Sequence, residues 1–161
     1  MNEERKLRIS AYRIRAAQVD PRRIRASGLL SIVGGLTIIL GTFFPFNVST
    51  INGLFVISRN AYQMGSRLSD NGVGFIDSTL AIVVIVIGVS VMEHYRGFWF
   101  LPNNQSMIAF VTGIVIFDQM NYDKTTLSGV SYRLGSGWFI CLAGAAIGTV
   151  SGMVRYPPKV S

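Results

Sequence analysis

The chain has 161 residues, half of them hydrophobic and 14% charged, whereas about a quarter of the residues in a typical soluble domain carry charge. An ordinary soluble monomer is excluded, and the single cysteine, Cys141, excludes an internal disulfide and a Cys-rich zinc site. The 15 Lys and Arg outnumber the 8 Asp and Glu, which in a soluble domain would point to nucleic acid, but no base-stacking or binding module accompanies the charge.

The basic residues are concentrated at the start. Residues 1–25 form an arm in which Leu7, Ile9, Tyr12, Ile14, Ala17 and Val19 interleave with eight Lys and Arg. Such a segment can lie on an anionic leaflet, gaining about 1 kcal/mol per basic residue near the surface. Arg13, Arg15, Arg22, Arg23 and Arg25 are the residues expected to touch anionic lipid or the cytoplasmic face of a partner.

A first charge-free run, residues 26–46, is 21 residues long, enough to cross a hydrocarbon core of about 30 Å. Asp20-Pro21 reads as an N-cap followed by Pro at the first helical position, so the helix is expected to begin at Pro21, and Pro45 to mark its far end. No small-x-small cleavage site follows Phe43-Phe44-Pro45-Phe46, so the segment reads as an uncleaved anchor. The connection that follows, residues 47–73, is longer than a turn needs, and Ile51 to Ile57 reads as a short apolar strand between Asn and Gly. Two readings stay open for this loop: a β cap packed on its own bundle, or a docking surface for a larger subunit.

A second span is expected over 74–92, around the β-branched run Ile82 to Ile87, which is embedded in too long an apolar stretch to be a strand. The third, 104–121, has only 12 charge-free residues at its centre, Ser106 to Phe117, and reaches spanning length with Asn104, Gln105, Asp118 and Gln119 in the interfaces. The fourth, 134–154, is charge-free and is closed by Arg155 and Pro157-Pro158. The expected fold is thus an all-α integral membrane protein: a four-helix bundle over 26–155, a basic arm before it and a tail, 156–161, after it. Four crossings put both termini on one side, and the excess of basic residues on the arm, the 93–104 link and the tail makes that side cytoplasmic, in a cell membrane. Tyr95, Phe98, Trp99, Phe100, Tyr132 and Trp138 stand where interfacial aromatics belong.

Two constellations stand out within the spans. Gly144, Gly148 and Gly152 repeat a G-x-x-x-G spacing, and Gly137, Cys141, Ala145 and Thr149 form a second small stripe beside them. Small residues let backbones approach where lipid offers little hydrophobic drive, either to the chain's own helices or to another subunit; two stripes allow one to face inward and one outward. Asp77 and Asp118 are the acidic residues near or within spans. Each reads as a helix cap or a salt-bridge partner, Asp118 to Arg133 or Lys124, or alternatively as part of a polar path through the membrane.

For catalysis there is little material. His94 is the lone histidine and lies in a polar link, so no Cys–His pair and no histidine metal cluster can be assembled, and no phosphate loop, dinucleotide fingerprint or haem-ligand pair is present. Asp118, Asn121 and Asp123 fail the spacing of a calcium loop. No enzyme activity, cofactor, metal or small-molecule substrate is assigned.

The basic arm, the Phe43-Phe44-Pro45-Phe46 ending of the first helix, the long loop after it and the stretch from Gly137 through Trp138 to Ala143-Gly144-Ala145 in the last helix resemble a loose group of small four-helix membrane proteins common in actinobacteria. The resemblance implies an accessory role. A claudin-like tetraspan is similar in layout, but the Trp and paired Cys of its first loop are missing here. The expected function is therefore a non-catalytic accessory or assembly subunit of a larger bacterial membrane complex, of the respiratory or cell-envelope transport type, with other membrane subunits as partners. The competing expectations are a small transporter, channel or holin-like pore using Asp77 and Asp118, and a self-associating structural tetraspan.

Overall fold

The structure, a computed structural model, describes residues 21–63, 72–92, 104–119 and 130–155. Arg13, Arg15, Asp20, His94, the aromatic cluster of 95–100, Lys124 and the tail from 156 onward lie outside the described residues. Three helices are long and apolar enough to cross a membrane: α1 (Pro21–Phe43), α2 (Gly72–Met92) and α4 (Ser136–Arg155); α3 (Gln105–Asp118) is a shorter apolar helix. A three-stranded antiparallel sheet joins them, made of β1 (Pro45–Ile51), β2 (Phe55–Asn60) and β3 (Val130–Leu134) in the order β2-β1-β3.

The sheet overturns three expectations, the first being that the chain is all-α. The first helix, apolar as far as Phe46, stops before Pro45 as expected. It ends at Phe43, because Pro45 disfavours helical backbone at the residue before it, and Phe44 N–H closes the last turn on Gly41 O at 3.1 Å. Ile51 to Ile57 is not one strand. Asn52 (φ 51°) and Gly53 (φ 71°) both take left-handed backbone, and Leu54 N–H bonds to Ile51 O at 3.1 Å, so the stretch is the turn of a hairpin. Leu134 is not helical either. It ends β3, paired with Asn47, and α4 begins at Ser136. Between them Gly135 crosses β1 so closely that a Cβ would fall on the Pro45 carbonyl, while its N–H donates to Phe46 O at 2.8 Å.

The helices are apolar outside, and polar side chains share the interior with Ile38, Val84, Ile87 and Ile116. Leu36 and Leu40 of α1, Phe75 and Val86 of α2 and Phe110 and Ile114 of α3 are exposed, while Ser27, Ser31, Asp77, Gln105, Thr112 and Ser151 are buried. Water would not tolerate so wide an apolar exterior; lipid requires it.

Helix α1 packs along both α2 and α4. Gly34 and Gly41, seven residues apart, meet α4: a Cβ on Gly34 would lie 2.7 Å from Gly144 O, and one on Gly41 2.9 Å from Cys141 N. Gly28 and Gly35, also seven apart, meet α2: their Cβ atoms would lie 2.7 Å from Gly88 O and 2.8 Å from Ala81 O. Rising numbers on α1 meet falling numbers on both neighbours, so α1 runs antiparallel to each. Helix α3 meets α4 in the same sense, with Gly148 beside Ala109 and Gly152 beside Ser106. The result is an up-down-up-down arrangement.

At one end of the bundle the sheet is anchored by a β-bulge. Pro45 pairs with Asn60 but Asn47 with Arg59, so two steps along β1 match one along β2. A regular strand sends neighbouring side chains to opposite faces; the bulge lets consecutive Phe46 and Asn47 both be buried at the bundle end. A Cβ on Gly137 would lie 2.9 Å from the Phe46 ring there, so the ring packs where a larger residue would stand.

Replacing Gly34 by Leu drives a branched side chain into the α4 backbone. The expected loss is about 3 kcal/mol or more in detergent-induced unfolding followed by circular dichroism, against less than about 0.5 kcal/mol for the exposed control Leu36→Ala.

Candidate functional site

Polar side chains collect at the two ends of the bundle. At the end where α1 begins and α4 finishes, Gln105 of α3 donates from Nε2 to Ser151 Oγ at 2.7 Å and to Ser27 O at 3.3 Å, and its Oε1 accepts from Ser27 Oγ at 3.2 Å. Ser106 adds a bond to Thr149 O at 2.8 Å. One glutamine thereby ties α1, α3 and α4 together, and its amide is used on both sides. In hydrocarbon such a group must find partners within the protein.

At the opposite end, Gln119, one residue past α3, donates from Nε2 to Asp77 Oδ1 of α2 at 2.7 Å. Trp138 of α4 donates from Nε1 to Ile116 O at 3.1 Å, satisfying a carbonyl in the last turn of α3. These two knots explain how a helix of 14 residues holds a place among longer ones. Its ends are polar tips fixed to neighbouring helices, and its middle presents Ala109, Thr112 and Ile116 to the interior.

The sequence-predicted residues fall out as follows. Gly144, Gly148 and Gly137 are buried against other elements of the same chain: Gly144 on Gly34 and Ile38, Gly148 on Ala109 and Val84, Gly137 on Gly41, Phe44 and Phe46. Gly152 meets Ser106. The companion stripe also faces inward at Cys141 and Ala145, the Cys141 thiol donating to Ile38 O at 3.2 Å. Both small stripes of α4 are therefore used inside this chain.

The acidic pair is split. Asp118 is exposed, whereas Asp77 is 0% exposed, beyond the first turn of α2 where a cap would sit, and turned towards Gln119. Arg22, Arg23 and Arg25 are exposed on the first turns of α1, while Ile24 between them is buried with Ile87 and Val91. The arginines are thus presented to the surroundings by a helix anchored on α2.

Sequence reasoning missed Gln105 and Gln119 as tie points, treating both as interfacial filler. Their signal was position, one at each edge of a short apolar run. Among the described residues no group of three or more His, Cys, Asp or Glu side chains is placed to hold a metal ion.

The remaining feature is the sheet. Antiparallel partners share a face, so Ile51, Phe55, Ser49, Ile57, Asn47, Arg59 and Leu134 lie on one side, and Thr50, Val56, Val48, Ser58, Ser131 and Arg133 on the other. The first face is apolar away from the bundle: Phe55 is 67% exposed, Ile57 41% and Leu134 44%. The second is mostly small and polar. No family model and no curated protein matches this sequence.

Gln105→Leu keeps size but removes the three hydrogen bonds of that side chain, and it is expected to cost about 1–2 kcal/mol. Trp138→Phe strands the Ile116 carbonyl and is expected to cost about 1 kcal/mol. Both are checked by detergent-induced unfolding, and their effects should add, since the two sites lie at opposite ends of α3.

Proposed function

We propose that the chain is a non-catalytic accessory or assembly subunit of a larger membrane complex, crossing the membrane four times with both termini cytoplasmic. The uncovered apolar face of the sheet, Ile51, Phe55, Ile57 and Leu134, carries this reading. A hairpin with three exposed large apolar residues at its tip, Leu54, Phe55 and Val56, exceeds what a bare helix connection needs, and an apolar patch beside a polar face is the form of a contact surface. The strand edge of β2 adds backbone donors and acceptors for a partner.

The glycines of α4 support the same reading by being occupied. With Gly144, Gly148 and Gly137 buried within the chain, the contact to another subunit moves from the helix stripe to the sheet. The distribution of basic residues supports this orientation: Arg22, Arg23 and Arg25 precede the apolar part of α1 at one end, while Arg59 and Arg133 sit on the sheet at the other, and five more basic residues precede Arg22 in the sequence. Anionic lipid is the partner of the arm.

Phe55→Asp with Ile57→Asp leaves the bundle untouched. The double variant should reach the membrane at normal levels yet lose the proteins that co-purify with the wild type in mild detergent, as read by mass spectrometry. Recovery of the wild-type chain alone, as a defined homo-oligomer, would favour the self-associating tetraspan and overturn the reading. Orientation is checked in a Cys141→Ser background: a cysteine at Ser58 should react with an impermeant thiol reagent from outside, and one at Ser10 should not.

A further inference from the structure

The Asp77–Gln119 knot differs from the Gln105 knot in a single respect. Every polar atom of the Gln105 side chain is bonded, but the bond from Gln119 Nε2 to Asp77 Oδ1 leaves Asp77 Oδ2 and Gln119 Oε1 buried with no donor reaching either among the described residues. The two side chains are 0% and 5% exposed. An ionised carboxylate only accepts, and an amide oxygen only accepts, so this pair holds two buried acceptors and lacks one donor. Turning the amide round gives no remedy, because it sets Gln119 Oε1 against Asp77 Oδ1.

One proton supplies what is missing. Placed on Asp77 Oδ2, it makes that oxygen a donor to Gln119 Oε1, and acid and amide close a ring of two parallel hydrogen bonds with no net charge. A metal cation fits worse: hard cations take about six or more oxygens, and two are offered here.

The described groups around the pair offer the Asp77 carboxyl no bonded cation. The Cys141 thiol on α4 is engaged with Ile38 O. Tyr62, on the 3₁₀ turn that follows β2, shares a hydrogen bond with Ser78. Asp118 is exposed on α3, and Arg59 and Arg133 are exposed on the sheet.

We propose that Asp77 is a proton-binding site: the carboxyl carries a proton on Oδ2, donates it to Gln119 Oε1, and locks the start of α2 to the end of α3 as an uncharged acid–amide pair. Asp77 and Gln119 both belong to this chain, so the pair forms whatever partner the sheet takes.

The full chain in lipid nanodiscs tests it. Infrared spectra of the wild type at neutral pH should show the carbonyl stretch of a protonated carboxylic acid, above the amide band and shifted in heavy water, and Asp77→Asn should lack it. The asparagine amide can donate to Oε1 in the proton's place, so this variant should match the wild type in thermal midpoint at neutral pH. It should also keep that midpoint as the pH is raised, where the wild type gives up the proton and loses several degrees. Gln119→Leu should be less stable than the wild type and should abolish the isosteric rescue by Asp77→Asn. Absence of the protonated-acid band in the wild type would overturn the proposal. So would an Asp77→Asn variant as unstable as Asp77→Leu, since the charged carboxylate would then be the form the bundle needs.

Discussion

Close approach of backbones is the constraint on which this molecule depends. Lipid tails are as apolar as leucine, so helices in a membrane gain little by hiding apolar surface from one another and hold together through dispersion contacts and hydrogen bonds between them. Helix α1 meets that constraint twice. Its Gly34 and Gly41 admit α4 and its Gly28 and Gly35 admit α2, so two neighbours reach its backbone from different sides. Large residues are consequently displaced to the outside, where Leu29, Leu36 and Leu40 meet lipid. The interior mixes serines, threonines and small residues with the buried aliphatic side chains Ile38, Val84, Ile87 and Ile116.

Such an interior gains by dispersion, and the polar knots add hydrogen bonds that run from one helix to another. Each joins more than one helix through a single side-chain amide, and together they fix α3, the element with the least length to contribute. Ser31 adds a further tie from α1 to Val84 O of α2 at 2.9 Å, whereas Thr112 and Thr149 spend their hydroxyl bonds locally, on Ile108 O and Ala145 O. That keeps the two threonines satisfied without adding ties between helices. Glycines set the distance between helices, while two glutamines and the hydroxyls of Ser31 and Ser106 bind one helix to the next.

The helices were legible because charge-free runs of spanning length seldom arise except in membrane spans, and Pro21 was recognisable as a helix start. The start of α4 was not, since the charge-free run already includes Leu134, where the backbone is still strand. Local signals for the sheet were present in the sequence: Asn52-Gly53 is a hairpin turn pair, and Val130-Ser131-Tyr132-Arg133-Leu134 alternates apolar and polar residues. What no local pattern holds is that β1 and β3, some eighty residues apart, are neighbours. The G-x-x-x-G row on α4 is conspicuous by its tight spacing, while the equally important glycines of α1 are spaced by seven and form no such motif. Asp77 is unusual on sequence alone, but its partner Gln119 is not, because a glutamine beside an apolar run is ordinary until the opposite helix is known.

The sheet order also dictates a sequence of events during synthesis. The hairpin of β1 and β2 is local and can close as soon as residue 60 has emerged, but β1 is the central strand, and its other edge waits for β3. β3 lies directly before α4, so the last strand arrives together with the last helix, after α2 and α3 have been made. Until then one edge of β1 is open, which is the condition under which strands pair with the wrong chain. The final helix therefore completes two things in one step, filling the groove on α1 and covering the second edge of β1, so that insertion of α4 is the moment at which the central strand ceases to be vulnerable.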